Sequence, residues 1–437
     1  MSRRLTATLA AASLLSFLCW SALSTVASAE DWKLNSPDTK RGIVSKASIL
    51  SLVEKGKYED AEGAYLEWVN AWHEDSLDCV VTIESQILLK QYADGNKDAL
   101  FALLHAGDRD ALTALRGLLK IDKPNVAPEE LAAAIRAKAN LSDVQLVNAI
   151  QTLGTVGDAS DLPTLKALLA CKDPLIVNAA IDGLGNLGDK SVLPTFYIMA
   201  SDADITQSVT LARAMIKMGA AKELTRRYES QLHFPLKDMP QRAGLLLCIA
   251  GNPSGWKYVE KMLHDKENAD TLISDPLDDT TPLRINYYPL VLSVLGNLPQ
   301  LDVKQYVLDG LAGNEQEQTN ALQSITALPA PEMEKKLTEI VANEQAPLTV
   351  RTSAVDILAN LNTPTAYSTI TKLAITVKDG NADVKAAAIA AMEPCGLLND
   401  ENTRASIRMQ LLNDDPKVVM AARAALLAHA RKVHPVL

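Results

Sequence analysis

The chain has 437 residues, of which 48% are hydrophobic and only 4% aromatic, and it carries a net charge of −10. That balance argues against a general nucleic-acid binder, which needs a basic surface to neutralise phosphates. The charge is mixed along the chain, as on a solubilising surface, rather than gathered in blocks.

Residues 1–29 have the features of an export signal. Arg3 and Arg4 precede an apolar or small-residue run from Leu5 to Val26, and Ala27-Ser28-Ala29 forms a cleavage box before Glu30 and Asp31. The expected location is periplasmic or extracellular, with Glu30 as the mature N-terminus. Retention as an anchor is the alternative, because the run nearly reaches spanning length. Cys19 follows Leu18 with no small residue before it, so no lipoprotein anchor is expected. Removal of the signal leaves a net charge of −12. Residues 30–45 contain Pro37 and Gly42, lack periodicity, and are expected to form a flexible lead-in.

Residues 46–125 are expected to form helical hairpins. Gly56-Lys57-Tyr58-Glu59-Asp60-Ala61 with Ala64-Tyr65 resembles one tetratricopeptide hairpin; an ordinary amphipathic pair opening a stack is the plainer reading.

A fixed step then appears. Leu153-Gly154 with Gly157-Asp158 returns 31 residues later as Leu184-Gly185 with Gly188-Asp189, and Gly219 follows after another 31. Leu131, Leu162, Leu193 and Leu224 keep the same spacing. Such a period means stacked repeats, since no single unit can bury its apolar face alone. Within one unit, Leu162, Leu165, Leu168 and Leu169 lie at helical spacing. Asp173-Pro174 then supplies an N-cap and a first-turn proline. Ile176, Ala180, Leu184 and Leu187 make a second apolar face, which Gly188 ends. The repeat glycines are expected to act as helix caps. Further on, Arg242–Gly251 and Ile285–Gly296 have the pattern of second helices, and residues 264–282 interrupt the array as an acidic loop. Trp256, Tyr258, Tyr287 and Tyr288 flank that interruption and are candidate partner-binding anchors; a core aromatic cluster beneath a solvated loop is the plainer reading.

Near the C-terminus the step becomes 34: Val355, Ile389 and Arg423 are equivalent. A desolvated, unpaired Arg is costly. Arg423 is therefore expected to lie exposed on the outer face of a terminal cap, where it would block end-to-end stacking.

Residues 126–437 resemble the HEAT repeat, in the short bacterial type also found in phycobilin lyases. The likeness is carried by Asp173-Pro174, Ala179-Ala180, Leu184-Gly185 and Gly188-Asp189. It implies an all-α solenoid, one continuous array of helix pairs that mostly mediates protein contacts. It also implies that the second helices line a concave surface. There Gln151, Asp182 and Arg213 occupy equivalent outward positions, as do Thr155, Asn186 and Lys217, and Asn178 is the polar member one turn earlier. Gln151, Asp182, Arg213, Asn186 and Lys217 are the candidate ladder for a protein partner.

No catalytic or metal-binding pattern stands out. The six histidines include no i, i+3 or i+4 pair. Asp94-Gly95-Asn96 and Asp379-Gly380-Asn381-Ala382-Asp383 lack the full ligand run of a calcium loop and are better explained as turns. Cys79, Cys171, Cys248 and Cys395 lie at least two repeats apart, so they are expected as free buried thiols. The expected function is a non-catalytic exported scaffold, without cofactor, monomeric outside its complex. A lyase-like accessory role in chromophore attachment and a structural place in a cell-envelope complex are the alternatives.

Overall fold

The computed structural model describes residues 45–433, apart from 73–76, 121–127, 235–238, 265–269, 276–277, 326, 329–330 and 376–380. The export signal and residues 30–44 of the lead-in lie outside the described residues. Among those described, the chain is an all-α solenoid interrupted by one β-hairpin. The N-terminal helices are α1 (Lys46–Glu54), α2 (Tyr58–Trp72), α3 (Leu77–Ala93), α4 (Lys97–His105) and α5 (Arg109–Leu119). The repeats follow as α6 (Pro128–Ala139), α7 (Asp143–Val156), α8 (Leu162–Leu168), α9 (Pro174–Leu187), α10 (Leu193–Asp202), α11 (Ile205–Lys217), α12 (Ala221–Gln231), α13 (Met239–Ile249) and α14 (Trp256–His264). Beyond the hairpin come α15 (Tyr288–Leu292), α16 (Lys304–Leu311), α17 (Glu315–Ile325), α18 (Pro331–Ala342) and α19 (Leu348–Leu361). The last four are α20 (Pro364–Ile375), α21 (Ala382–Met392), α22 (Glu401–Arg408) and α23 (Pro416–Val433).

The repeat signature has a local cause at each position. Asp173 accepts from Leu175 N and caps α9, with Pro174 in its first turn. Gly188 closes the same helix in the left-handed region, at φ +73°. Asp158 and Asp189 each accept from the amide two residues on, Ser160 N and Ser191 N, at 2.8 and 3.0 Å. Each thereby starts the short 3-10 turn that leads into the next Leu-Pro-Thr helix.

Gly154 and Gly185 do not cap, contrary to expectation. Both lie inside helices, where neighbouring second helices touch. A Cβ on Gly154 would overlap the Gly183 backbone, and one on Gly185 would sit 2.8 Å from Ala214 Cβ. The repeated Leu-Gly pair thus sets how closely α7, α9 and α11 approach. Leu153 and Leu184, beside those glycines, are buried in the same layer.

Two further expectations change. Residues 264–282 are not simply a loop: β1 (Asp270–Asp275) and β2 (Asp278–Asn286) pair antiparallel, Thr271 opposite Ile285, with an irregularity between Ile273 and Asp275. Because β2 runs to Asn286, the second helix expected over 285–296 is broken into α15 and a 3-10 turn at Leu295–Asn297. The break holds Gly296 against the Ser324 backbone, and Ser324 Oγ donates to Leu292 O at 2.6 Å.

The described residues fall into two compact units. One is Arg116–Leu361; the other joins the described residues up to Leu115 with Asn362–Leu437. The reason lies in α23. Arg423 is buried and not exposed, which overturns the capping expectation. Its equivalents Val355 and Ile389 are buried as well. The charge is tolerated because it is paired: Nη2 donates to Glu62 Oε1 and Oε2 at 3.0 and 2.9 Å. Arg431 adds a second link, donating to Asp108 Oδ2 at 2.7 Å and Ser85 Oγ at 3.1 Å.

Candidate partner-binding face

In the Arg116–Leu361 unit the second helices α7, α9 and α11 pack in succession, and α11 continues onto α13. Their repeat register brings most of the ladder residues together. Lys217 Nζ donates to Asn186 Oδ1 at 2.8 Å, one full 31-residue step away. Arg213 Nη2 reaches Ser293 O and Oγ at 3.3 and 3.0 Å, beyond α15. Burial pushes the Asp182 carboxyl above its ordinary range, and the Lys217 and Arg213 charges partly offset that. The same burial pulls the Arg213 guanidinium down, against the pull of Asp182. Asp182, Arg213, Asn186 and Lys217 therefore form an electrostatic network across two helices, in which Lys217 with Asn186 and Arg213 with Ser293 are the hydrogen-bonded pairs.

Gln151 stands outside that network. Its Oε1, like Asn178 Oδ1, is shielded and has no hydrogen-bond partner. Thr155 Oγ1 turns inward and donates to Gln151 O at 3.0 Å, so it adds no outward rung. At the entrance to the face, Val144 and Leu175 are 44% and 61% exposed and lie one repeat step apart. They form an apolar margin that the polar positions alone do not reveal.

The aromatic candidates separate by burial. Tyr287 and Tyr288 belong to the core, at 0% and 6% exposure, and cannot anchor a partner in this conformation. Tyr258 is partly buried, packs where Gly244 lacks a side chain, and carries Lys257 Nζ 4.7 Å above its ring. Trp256 is half-exposed and lies 6.2 Å from Tyr306. Tyr306 in turn meets the His264 ring edge-on at 5.6 Å, with Tyr306 Oη and His264 Nε2 2.9 Å apart. The surface cluster is thus Trp256, Tyr306 and His264. Tyr306 escaped the sequence reading because it lies 42 positions from His264.

No group of His, Cys, Asp and Glu suited to a metal ion occurs among the described residues. Cys171 and Cys248 are buried free thiols, and the Cys395 side chain is half-buried. The Cys79 side chain lies outside the described residues. No described helix is long and apolar enough to cross a membrane.

No family model matches the chain, and no curated protein matches it. Among solved structures it is similar to Kap121p, at 14% identity and a TM-score of 0.27, over 86% of this chain and 46% of that one. It is similar also to Kap121p bound to Nup53p, at 13% identity and a TM-score of 0.27, over 86% of this chain and 47% of the other. The chain spans about half the length of these structures, and so loose a superposition transfers no function.

Proposed function

We propose that this chain is an exported, non-catalytic helical-repeat scaffold that binds another protein on the second-helix face of its Arg116–Leu361 unit. The observation that supports this reading is the Asp182, Asn186, Arg213 and Lys217 network, with the exposed Val144 and Leu175 at its margin. Side chains already held in place lose little further freedom when a partner docks, so a preset surface wastes little of its contact energy. An apolar margin beside polar groups has the mixed character of a non-obligate interface. Export rests on Arg3, Arg4, the apolar run and Ala27-Ser28-Ala29. The reading requires no cofactor.

The test is quantitative capture from the native envelope fraction, followed by reconstitution with the captured protein. Asn186→Ala with Lys217→Ala should weaken binding by roughly tenfold or more, whereas Lys335→Ala, on the exposed side of α18, should leave it unchanged. Equal binding by all three proteins rules out this face. A pigment bound in place of a protein favours chromophore attachment, and an unchanging large assembly favours a structural subunit. Mass spectrometry of the native protein should give Glu30 as its first residue; a retained Met1 makes the segment an anchor.

A further inference from the structure

A buried cluster of titratable groups joins α2 and α3 to α23 inside one compact unit. Glu62 on α2, Glu84 on α3 and Arg423 on α23 are 7%, 1% and 8% exposed. Arg423 Nη2 spans both oxygens of Glu62 at 3.0 and 2.9 Å. Its Nε lies 3.3 Å from Glu62 Oε1 and 3.0 Å from Glu84 Oε2, but the approach to Glu84 is off the hydrogen-bond direction. Two carboxyl groups thus share one guanidinium, and the bidentate bond goes to Glu62.

We infer that Glu62, Glu84 and Arg423 form a proton-locked clasp, in which a neutral Glu84 carboxyl joins the Glu62–Arg423 pair and its ionisation at alkaline pH releases α23 from α2 and α3. With both carboxylates ionised, one negative charge would be left in a buried site, which is costly. One bound proton removes it. Like carboxyls that share a site cannot both ionise easily. Glu62 and Arg423 are the charged groups that face Glu84. Arg431, further along α23, is committed to Asp108 and Ser85 and supplies no second cation. Lys432 is paired with Glu393 at 2.8 Å.

Burial, then the Glu62 charge, pushes Glu84 from 4.5 up to about 8, against the opposing pull of Arg423. The sign follows. Between these two values the folded unit binds a proton that the released chain gives up to solvent. The clasp is at full strength below the lower value, weakens through the window as pH rises, and is weakest above about 8.

Hydrogen exchange on the full chain tests this. After correction for intrinsic base catalysis, the opening constant of the α23 amides should rise about tenfold per pH unit between about pH 6 and about pH 8. Glu84→Gln keeps the shape and removes the proton, so its α23 should open with no such slope. The wild-type chain, isotope-labelled at its glutamate carboxyls so that Asp182 does not contribute, should also show the infrared band of a buried carboxylic acid at about pH 7, lost by about pH 9. The inference is overturned if Glu84→Gln retains the wild-type slope. Should that variant fail to fold, absence of the wild-type acid band at about pH 7 overturns it equally, and its presence with the expected slope supports it.

Discussion

Arg423 and Glu62 stand 361 positions apart in the chain, and their side chains meet at 2.9 Å. A residue that repeat periodicity assigns to an outer cap is instead a buried link between α23 and α2. A buried arginine needs an anionic partner, and Glu62 on α2 and Glu84 on α3 supply it.

Arg423→Leu should therefore be strongly destabilising. It strands Glu62 in an apolar site, and breaking one side of a buried ion pair costs about 3–5 kcal/mol. Denaturant unfolding followed by circular dichroism should show the loss, and adding Glu62→Leu should recover part of it. An Arg423→Leu protein that unfolds like the wild type would remove the clasp from the fold's stability. If the single variant self-associates without losing stability, the capping role is restored.

The two kinds of repeat glycine should respond differently. Gly154→Ala places a methyl into the Gly183 backbone and must push α7 from α9, at a cost of about 1–3 kcal/mol. Gly188→Ala meets no neighbour within 4 Å and has only its left-handed φ of +73° to sustain, which costs about 1 kcal/mol. Thermal unfolding of both variants should rank them in that order; the reverse ranking would contradict close helix approach as the role of the Leu-Gly pair.

Acid should reach the repeat caps late. Hydrogen bonds from Ser160, then the Arg116 contact, hold Asp158 at about 2. Ser191 and Lys166 do the same for Asp189. Because these folded values lie below the ordinary 3.8, the stabilisation is present above that value and is lost only as pH falls through about 2. Carboxyl NMR titration should show the two depressed together. Ser191→Ala should return Asp189 toward normal and leave Asp158 where it is. A Ser191→Ala protein with Asp189 unmoved would mean that the Ser191 hydroxyl bond is not the cause.

The cysteines should resist native labelling. Burial pushes the Cys248 thiol up to about 12, and burial followed by the Glu393 charge pushes Cys395 up to about 11. Thiolate is the reactive form, so a disulfide-exchange reagent near neutral pH should modify Cys248 only after unfolding. Rapid reaction of Cys248 in the folded chain would show that its site opens locally.

The sequence by itself determined the elements and their register. Asp173-Pro174 and Gly188 act through atoms a few positions away, so local composition sets where α9 begins and ends. The 31-residue step likewise brings Lys217 onto Asn186, because a constant repeat places equivalent residues on neighbouring rungs. Tertiary structure decided what depends on the rest of the chain. It assigned Gly154 and Gly185 to helix contact, since only a packed neighbour distinguishes a close approach from a cap. It placed Tyr287 and Tyr288 in the core and left Trp256 beside Tyr306, because aromatic residues carry no mark of which side will be covered. It also paired Arg423 with Glu62 and Glu84. Glu62 beside Ala61 and Glu84 beside Ile83 show only that an acid interrupts an apolar face. Which cation neutralises it is a matter of chain path, and no periodicity spans 361 residues to reveal it.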